Sequence, residues 1–157
     1  MSYRPAVRAL LLAGEQILLA RLYVPDTQTH IWLAPGGGIE SGEDPLAALK
    51  REVWEETGYQ EDGPTIHGPV WHRRHAFVFR GEDFDQEELY YLWPVSRFAA
   101  TGEGNPAVHE QELVDQLRWW HLDEICTSDE IFVPLKMAKY LRQLLTEVPE
   151  FPLEVGL

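Results

Sequence analysis

The chain has 157 residues, of which 45% are hydrophobic and 25% charged. This composition fits one globular domain over residues 1–157 with a sizeable core, and excludes a disordered chain. The formal net charge of −13, from 26 acidic and 13 basic residues, argues against binding along DNA or RNA backbones. The single cysteine, Cys126, excludes an intrachain disulfide and a cysteine-rich zinc site.

The N-terminal part of the chain predicts a β-hairpin. Strand-like apolar runs at 6–12 and 17–23 flank the turn residues at 13–16. The longest apolar run here, 9–13, is too short to cross a membrane or to form the core of a secretory signal. We therefore predict a soluble, cytoplasmic protein with no membrane partner.

The clearest helix follows three glycines. Asp44 is a suitable N-cap, Pro45 fits the first helical position, and Gly58 fits the C-cap. The apolar residues that recur at helical spacing and are predicted to face the core are Leu46, Leu49 and Val53.

The second half of the chain predicts further strands and one more helix. The strands are expected at 70–80, 89–95 and 117–121. The helix is expected to start near Pro134 and to bury Leu135, Ala138, Leu141 and Leu145. We interpret the acidic run at 82–88 as a solvated loop, able to close over a cleft, and residues 149–157 as a tail. Strands mixed with two helices indicate an α/β or α+β layered domain.

Three carboxylates share one face of the first helix. Glu52, Glu55 and Glu56 stand at i, i+3 and i+4, where like charges cost about 0.2–0.5 kcal/mol per pair. Clustered carboxylate oxygens suit a hard divalent cation, magnesium or manganese. The alternative is a solvated acidic face, which does not explain the glycine loop at a fixed spacing before it.

An arginine and a glycine loop accompany these carboxylates. Arg51 lies one turn before Glu55 and could hold that carboxylate, or could reach Glu43 or Glu40 in the loop. The loop glycines allow close backbone approach and supply N–H groups for an anion. The residues predicted to bind substrate in this way are Gly36, Gly37 and Gly38.

The stretch from Gly37 to Tyr59 resembles the Nudix box, G-x5-E-x7-R-E-U-x-E-E-x-G-U, in which U is apolar. The positions that match are Gly37, Glu43, Arg51, Glu52, Val53, Glu55, Glu56 and Gly58. Tyr59 stands where an aliphatic residue is usual, and is the one soft departure. Trp32 and Pro35-Gly36 before the box, and 118–120 after it, also look like this family.

The resemblance implies an α/β/α sandwich around a mixed sheet. It also implies Mg²⁺-dependent (or Mn²⁺-dependent) hydrolysis of a nucleoside diphosphate linked to a further group, by attack of metal-activated water on one phosphorus. Carried over by position, the metal ligands are Glu52, Glu55 and Glu56. The catalytic set is Glu52, Glu55 and Arg51, with Glu43 as a supporting residue.

In many relatives a further acidic residue outside the box completes the site. The candidates are Glu87, Glu88, Glu110, Glu112 and Asp115. We favour Glu112 as a catalytic residue, because it lies in a polar stretch shortly before the strand that contains Arg118 and Trp119.

The basic stretch from His72 to His75 has two interpretations. It is either a phosphate-binding patch that includes Arg74 or a half-exposed strand, on which His72 and Arg74 share one face. Five aromatic residues could likewise stack on a nucleobase, although most are expected in the core: Trp32, Trp71, Phe77, Phe79 and Tyr90.

The sequence leaves the substrate open among nucleoside triphosphates, sugar nucleotides, RNA ends and damaged nucleotides. The acidic composition weighs against long RNA, so we expect a small-molecule nucleotide rather than a nucleic acid partner. An alternative is a catalytically silent Nudix-like module that senses a nucleotide, but such modules usually have a damaged box and this box is intact. A Nudix-like isomerase needs a catalytic cysteine, and Cys126 lies near no glutamate-rich motif. Relatives often form dimers, so the resemblance also allows a homodimer.

Overall fold

The computed structural model describes residues 1–60, 65–101 and 113–157. The strands in these ranges are β1 (Ser2–Ala13), β2 (Gln16–Val24), β3 (Thr29–Leu33), β4 (Gly36–Gly38), β5 (His67–Phe79), β6 (Glu82–Pro94), β7 (Val114–His121), β8 (Ile131–Val133) and β9 (Leu153–Glu154). The helices are α1 (Pro45–Thr57), α2 (Leu122–Thr127) and α3 (Met137–Thr146).

All nine of these strands belong to one mixed sheet. Its main order is β8-β3-β2-β1-β6-β5-β9, with β4 paired to β1 and β7 paired to β2. Three pairs are parallel, namely β1 with β6, β3 with β8, and β5 with β9. The predicted N-terminal hairpin is confirmed by the antiparallel pairing of Leu12 with Ile17.

Helices cover both faces of the sheet. Alternate residues of β1 point to opposite faces, so that Leu11 packs with Leu49 and Val53 of α1. Leu10, on the other face, belongs to the cluster that contains Leu141 of α3. This arrangement confirms the predicted α/β/α layering around a mixed sheet.

The residues that the two long helices bury differ in part from the prediction. Leu46 is 39% exposed, because α1 is first buried at Ala48, one turn into the helix. The last helix starts at Met137 rather than near Pro134. Its buried residues are therefore Met137, Leu141 and Leu144. The predictions that Leu135 and Leu145 are buried were wrong, since these side chains are 61% and 45% exposed.

The acidic run at 82–88 was wrongly interpreted as a loop. It is the first half of β6, paired with β5 on one side and with β1 on the other. Arg80 and Gly81 both have positive φ, 52° and 78°, as a two-residue type I′ turn requires. This turn joins the two strands at the pair Phe79 and Glu82. The first strand ends close to its predicted end at 80, whereas the second starts at 82, well before its predicted start at 89.

The segment predicted to be a C-terminal tail packs against the sheet. Leu153 pairs in parallel with Trp71, Val155 is buried, and the N–H of Leu135 donates to the Leu157 carbonyl at 2.7 Å. No helix within the described ranges is both long enough and apolar enough to cross a membrane.

Candidate active site

Helix α1 is fixed at both ends by the residues predicted from the sequence. One carboxylate oxygen of Asp44 accepts hydrogen bonds from the N–H groups of Leu46 (3.0 Å) and Ala47 (3.3 Å). Gly58 ends the helix in the left-handed conformation, with φ 76°, and its N–H donates to Trp54 O at 2.9 Å. A side-chain cap of this kind stabilises a helix by about 1 kcal/mol. The start and end of the carboxylate-bearing helix are thus determined locally.

The glycine loop forms a short strand against β1. Val7 pairs with Gly37 and Arg8 with Gly36. A Cβ atom at Gly36 would lie 2.0 Å from the Val7 carbonyl oxygen, and one at Gly37 would lie 2.6 Å from the carboxylate of Glu52. Glycine is therefore required for this strand to fit between β1 and α1.

Arg51 contacts three acidic residues of the box, namely Glu43, Glu52 and Glu55. Its Nε and Nη2 donate to the two carboxylate oxygens of Glu43 at 2.8 and 2.9 Å. Its Nη1 lies 3.0 Å from Glu52 Oε1 and 3.4 Å from Glu55 Oε2, and Nη2 also donates to Gly38 O at 3.2 Å. Of the partners left open by the sequence, Arg51 thus takes both Glu43 and Glu55. The two-bond contact is the strong form of an arginine–carboxylate pair.

These contacts change the charge properties of the loop. The hydrogen bonds from Arg51, helped by the backbone N–H of Glu40, lower the pKa of Glu43 to about 2. The same pairing raises the pKa of Arg51. Both groups are therefore charged at neutral pH.

Glu56 is held by the loop rather than by Arg51. Its Oε2 accepts a hydrogen bond from the N–H of Gly36 at 3.1 Å. The residue is 3% exposed, and Glu52 on the same helix face is 6% exposed. Two carboxylates of the box are therefore buried against the glycine strand, and Glu55 is partly exposed beside them.

The carboxylates of α1 would bind a metal ion through oxygen atoms alone. In residues 1–60, 65–101 and 113–157, no three histidine, cysteine or acidic groups already meet at one point. Glu52 and Glu55 are turned towards Nη1 of Arg51, and Glu56 towards the Gly36 amide. The chemistry of the donor set suits a hard divalent cation. Gly37, where a Cβ would collide with Glu52, leaves room around that carboxylate.

Other predicted site residues have different surroundings. Arg74 pairs with Asp85 at 2.7 Å and lies over the ring of Tyr3, and neither partner belongs to the box. Glu87 contacts Tyr3 and His72. The favoured acidic residue, Glu112, and the candidate Glu110 lie outside the described residues.

The two remaining acidic candidates are already in ion pairs. Asp115 accepts two hydrogen bonds from Arg21, and Glu88 is paired with Arg8 and Arg73. Three of the five aromatic residues considered for base stacking, Trp32, Trp71 and Tyr90, are at most 1% exposed, as expected for core residues.

One residue beside the box was not predicted. Arg8 donates from Nη1 to Ala34 O at 2.9 Å, directly before the glycine strand. In the sequence Arg8 only interrupts an apolar run, and its position on the same strand face as Leu10 was the single available signal.

Comparison with known proteins gives a consistent result. The family model described as "NUDIX domain" matches residues 2–146. The RNA pyrophosphohydrolase of Mesorhizobium japonicum is 38% identical over 159 residues, covering 89% of this chain and 87% of that protein. The RNA pyrophosphohydrolase of Rhizobium meliloti is 36% identical over 168 residues, covering 89% and 90%.

Solved structures show the same fold. A MutT NUDIX hydrolase from Burkholderia pseudomallei superposes with a TM-score of 0.62 at 22% identity, covering 88% of this chain and 96% of that one. A NUDIX family hydrolase from Clostridium perfringens gives 0.60 at 18% identity, covering 92% and 99%. With the family match over most of the chain and an intact box, this chain belongs to the NUDIX domain family and is a Nudix hydrolase of pyrophosphate bonds.

Proposed function

We propose that this hydrolase cleaves a phosphoanhydride bond in a nucleoside diphosphate linked to a further group, using magnesium, or manganese in its place. The observation that carries the proposal is the arrangement around Arg51 and the glycine strand. It keeps Glu52, Glu55 and Glu56 on one helix face at the mouth of the loop.

The chain's own residues prepare the site for a cation. Glu52, Glu55 and Glu56 are the residues that would hold it, and when bound it supplies an activated water and neutralises negative charge on the phosphates. Arg51 offsets the repulsion between Glu52 and Glu55, since both lie close to the same nitrogen. Glu43 in turn fixes the guanidinium plane with two hydrogen bonds.

The net charge of the chain supports the need for a cation. A phosphate-bearing substrate meets a protein with a formal charge of −13, and three of its carboxylates stand at the site. A bound divalent ion reverses the local field. The strand 36–38 lies beside the carboxylates that would hold this ion, since the Gly36 N–H donates to Glu56 and Gly37 lies against Glu52. We therefore propose Gly36, Gly37 and Gly38 as substrate-binding backbone, and Glu52, Glu55 and Arg51 as the catalytic set.

Two substrate classes have support. The acidic composition favours a small nucleotide. The second candidate is the 5′ end of an RNA, because the relatives at 38% and 36% identity are named RNA pyrophosphohydrolases. An RNA end presents its phosphates to the site without requiring a long basic track, so the charge of the chain does not oppose this candidate as it opposes long RNA.

The test is a substrate panel with added Mg²⁺ and then Mn²⁺. The panel contains nucleoside triphosphates, sugar nucleotides, ADP-ribose, dinucleoside polyphosphates and a 5′-triphosphorylated oligoribonucleotide, and released phosphate or pyrophosphate is quantified. Glu55→Gln and Glu56→Gln remove one charge each without changing shape. Glu40→Gln is the matched control, because Glu40 lies in the loop before α1 and its side chain is exposed.

We expect turnover of one substrate class that falls at least about 100-fold in both box variants and is unchanged in Glu40→Gln. Cleavage that survives both box substitutions would place the active site elsewhere. A ligand that raises the melting temperature with no turnover would instead favour a silent nucleotide-binding module.

We propose a cytoplasmic location and a homodimer, both of which follow from the sequence and the family resemblance. Light scattering on the eluting protein tests the dimer, since a mass near 18.1 kDa would refute it.

A further inference from the structure

A buried ion cluster lies beneath the loop that leads into the box. It consists of Glu88 on β6, Arg8 on β1 and Arg73 on β5. Their side chains are 1%, 13% and 9% exposed. Arg8 Nε pairs with one carboxylate oxygen of Glu88, and Arg73 Nη1 donates to the other at 2.7 Å. The hairpin of β5 and β6 thus meets β1, which is distant in sequence, in one charged contact.

Both oxygens of Glu88 are occupied in this cluster. The amide of Gln86 also donates to Oε2 at 3.1 Å. Burial alone would raise the pKa of Glu88, but the positive charges of Arg8 and Arg73 outweigh it and lower the pKa to about 2. Glu88 is therefore a charged, fully engaged counterion and no longer a candidate for the acidic residue that completes the active site.

The two arginines differ in their remaining contacts. Arg73 donates from Nε to the Gly156 carbonyl at 2.7 Å and lies 2.8 Å from His75, so it faces the C-terminal segment. Arg8 donates from Nη1 to the carbonyl of Ala34 at 2.9 Å, so it faces the box.

Ala34, which Arg8 contacts, lies two residues before Gly36, whose N–H bonds the box residue Glu56. Ala34 is fully buried, and the next carbonyl, Pro35 O, accepts from Ala9 N at 2.8 Å. The N–H of Gly36 then donates to Glu56 Oε2. Among the negative charges that raise the pKa of Arg8 against the effect of burial are those of Glu88 and Glu56. Arg8 thus lies between the buried cluster and a carboxylate of the box.

We propose that Arg8 is a positioning residue: Glu88 orients its guanidinium, which fixes the Ala34–Gly36 segment and, through the Gly36 amide, the carboxylate of Glu56. This proposal rests on the proposed function in that Glu56 is taken as a metal ligand. Residues that orient metal ligands from behind commonly contribute 10- to 100-fold, as an order of magnitude, to metal affinity or activity.

The role requires the shape of arginine. Nε bonds Glu88 while Nη1 bonds Ala34, so one rigid plane spans both partners. Lysine carries the same charge on a single nitrogen and cannot reproduce this fork. Arg8→Lys therefore separates positioning from charge.

The test compares Arg8→Lys with Arg73→Lys in the full chain. Both variants keep their charge and both weaken a contact to Glu88, but only Arg8 touches the loop. The first readout is Mn²⁺ binding, with Mn²⁺ alone, by titration calorimetry. The second is hydrogen exchange of the Gly36 amide, measured by NMR in metal-free protein.

We expect Arg8→Lys to weaken Mn²⁺ binding about 10-fold and to speed exchange at Gly36 by a similar factor. Arg73→Lys should leave both values within about twofold. Equal effects of the two variants, or no effect of Arg8→Lys, would overturn the proposal. If Arg8→Lys does not fold, the triple variant Arg8→Met, Glu88→Leu and Arg73→Met, which leaves no buried charge unpaired, carries the same expectation for Gly36.

The two readouts also separate this proposal from the proposed function. A wild-type chain that neither binds Mn²⁺ nor hydrolyses any substrate would refute the function. Exchange at Gly36 needs neither metal nor substrate, so it still decides whether Arg8 holds the loop.

Discussion

Arginine and glutamate occur in opposite proportions in two regions of this molecule. At the box, one arginine, Arg51, contacts the three carboxylates of Glu43, Glu52 and Glu55. In the buried cluster, one carboxylate, Glu88, is held between two arginines. The Arg51 side chain is 26% exposed and that of Glu88 only 1%.

The box therefore carries excess negative charge, whereas in the cluster the single carboxylate is outnumbered by arginines. At the box the carboxylates outnumber the arginine, and Glu55, whose side chain is 19% exposed, leaves part of the excess negative charge open to a cation. In the cluster Glu88 is fully compensated away from water, because a buried carboxylate is tolerated only with partners. The first region should therefore govern activity directly and the second mainly stability, with Arg8 as the contact between them.

The largest expected effect on stability comes from Glu88→Ala. Removing this carboxylate leaves Arg8 and Arg73 buried without a counterion, which typically costs about 3–5 kcal/mol. The free energy of unfolding should fall by that amount in urea titrations. Asp83→Ala, on the same strand but exposed, is the control and should change it by less than about 0.5 kcal/mol.

A triple variant sharpens this expectation. With Arg8→Met, Glu88→Leu and Arg73→Met together, no charge is left unpaired, so most of the lost stability should return. Activity should stay low, since the loop has lost Arg8. A triple variant as unstable as Glu88→Ala would show that the cluster contributes more than mutual charge compensation.

The opposite pattern is expected for Arg51→Ala. Its pairs with Glu43 and Glu55 are partly exposed and only Glu52 is buried, so the free energy of unfolding should fall by about 1–2 kcal/mol, less than for Glu88→Ala. Turnover should fall about 100-fold, because Glu52 and Glu55 lose the group that orients them. The measurement is kcat/KM on the substrate found in the panel.

Lys50→Ala is the matched control for Arg51→Ala. Lys50 is the preceding residue on the same helix and is exposed, so its loss removes an equal charge without touching the carboxylates. A drop in kcat/KM as large as that of Arg51→Ala would mean that general charge, rather than orientation, matters at the box.

The box region was predictable because its signals are local. The cap at Asp44, the proline after it, the C-cap at Gly58 and the carboxylate spacing all act within one short stretch. Even so, the sequence left Glu40, Glu43 and Glu55 open as partners of Arg51. Only the fold shows that Arg51 donates two hydrogen bonds to Glu43.

The cluster was not predictable, because Arg8 is far in the chain from the hairpin that carries Arg73 and Glu88. Arg8 and Glu88 are separated by 80 positions and meet only through the parallel pairing of β1 with β6. Without that pairing, the acidic run at 82–88 looks like a solvated loop. The short elements α2, β8 and β9 were missed for a related reason, since their few residues carry little periodic signal.

The smallest effect concerns a histidine at the border of the cluster. His75 lies 2.8 Å from Arg73 and 3.7 Å from Glu88, and its ring stacks on Phe77. Burial, together with the charge of Arg73, lowers its pKa from 6.5 to about 4. The unfolded chain therefore binds a proton that the folded chain does not, and stability should be lost as the pH falls from about 6.5 to 4.

A shift of this size corresponds to at most about 3 kcal/mol, and because 21% of the side chain is exposed we expect about 1–2 kcal/mol. Urea titrations from pH 4 to 8.5 should show a shallower loss of stability on acidification in His75→Gln than in wild type. His72→Gln is the control on the same strand. Glu154 and Glu87 raise the pKa of His72, so its stabilising effect is present below pH 6.5 and is lost as the pH rises through its raised pKa. His72→Gln should therefore remove the loss of stability that wild type shows as the pH rises above 6.5, and should leave the slope on the acid side unchanged. If His75→Gln left the acid side unchanged, neither the burial of His75 nor the positive charge of Arg73 would lower its pKa in the folded protein, and the cluster would act only through its own ion pairs.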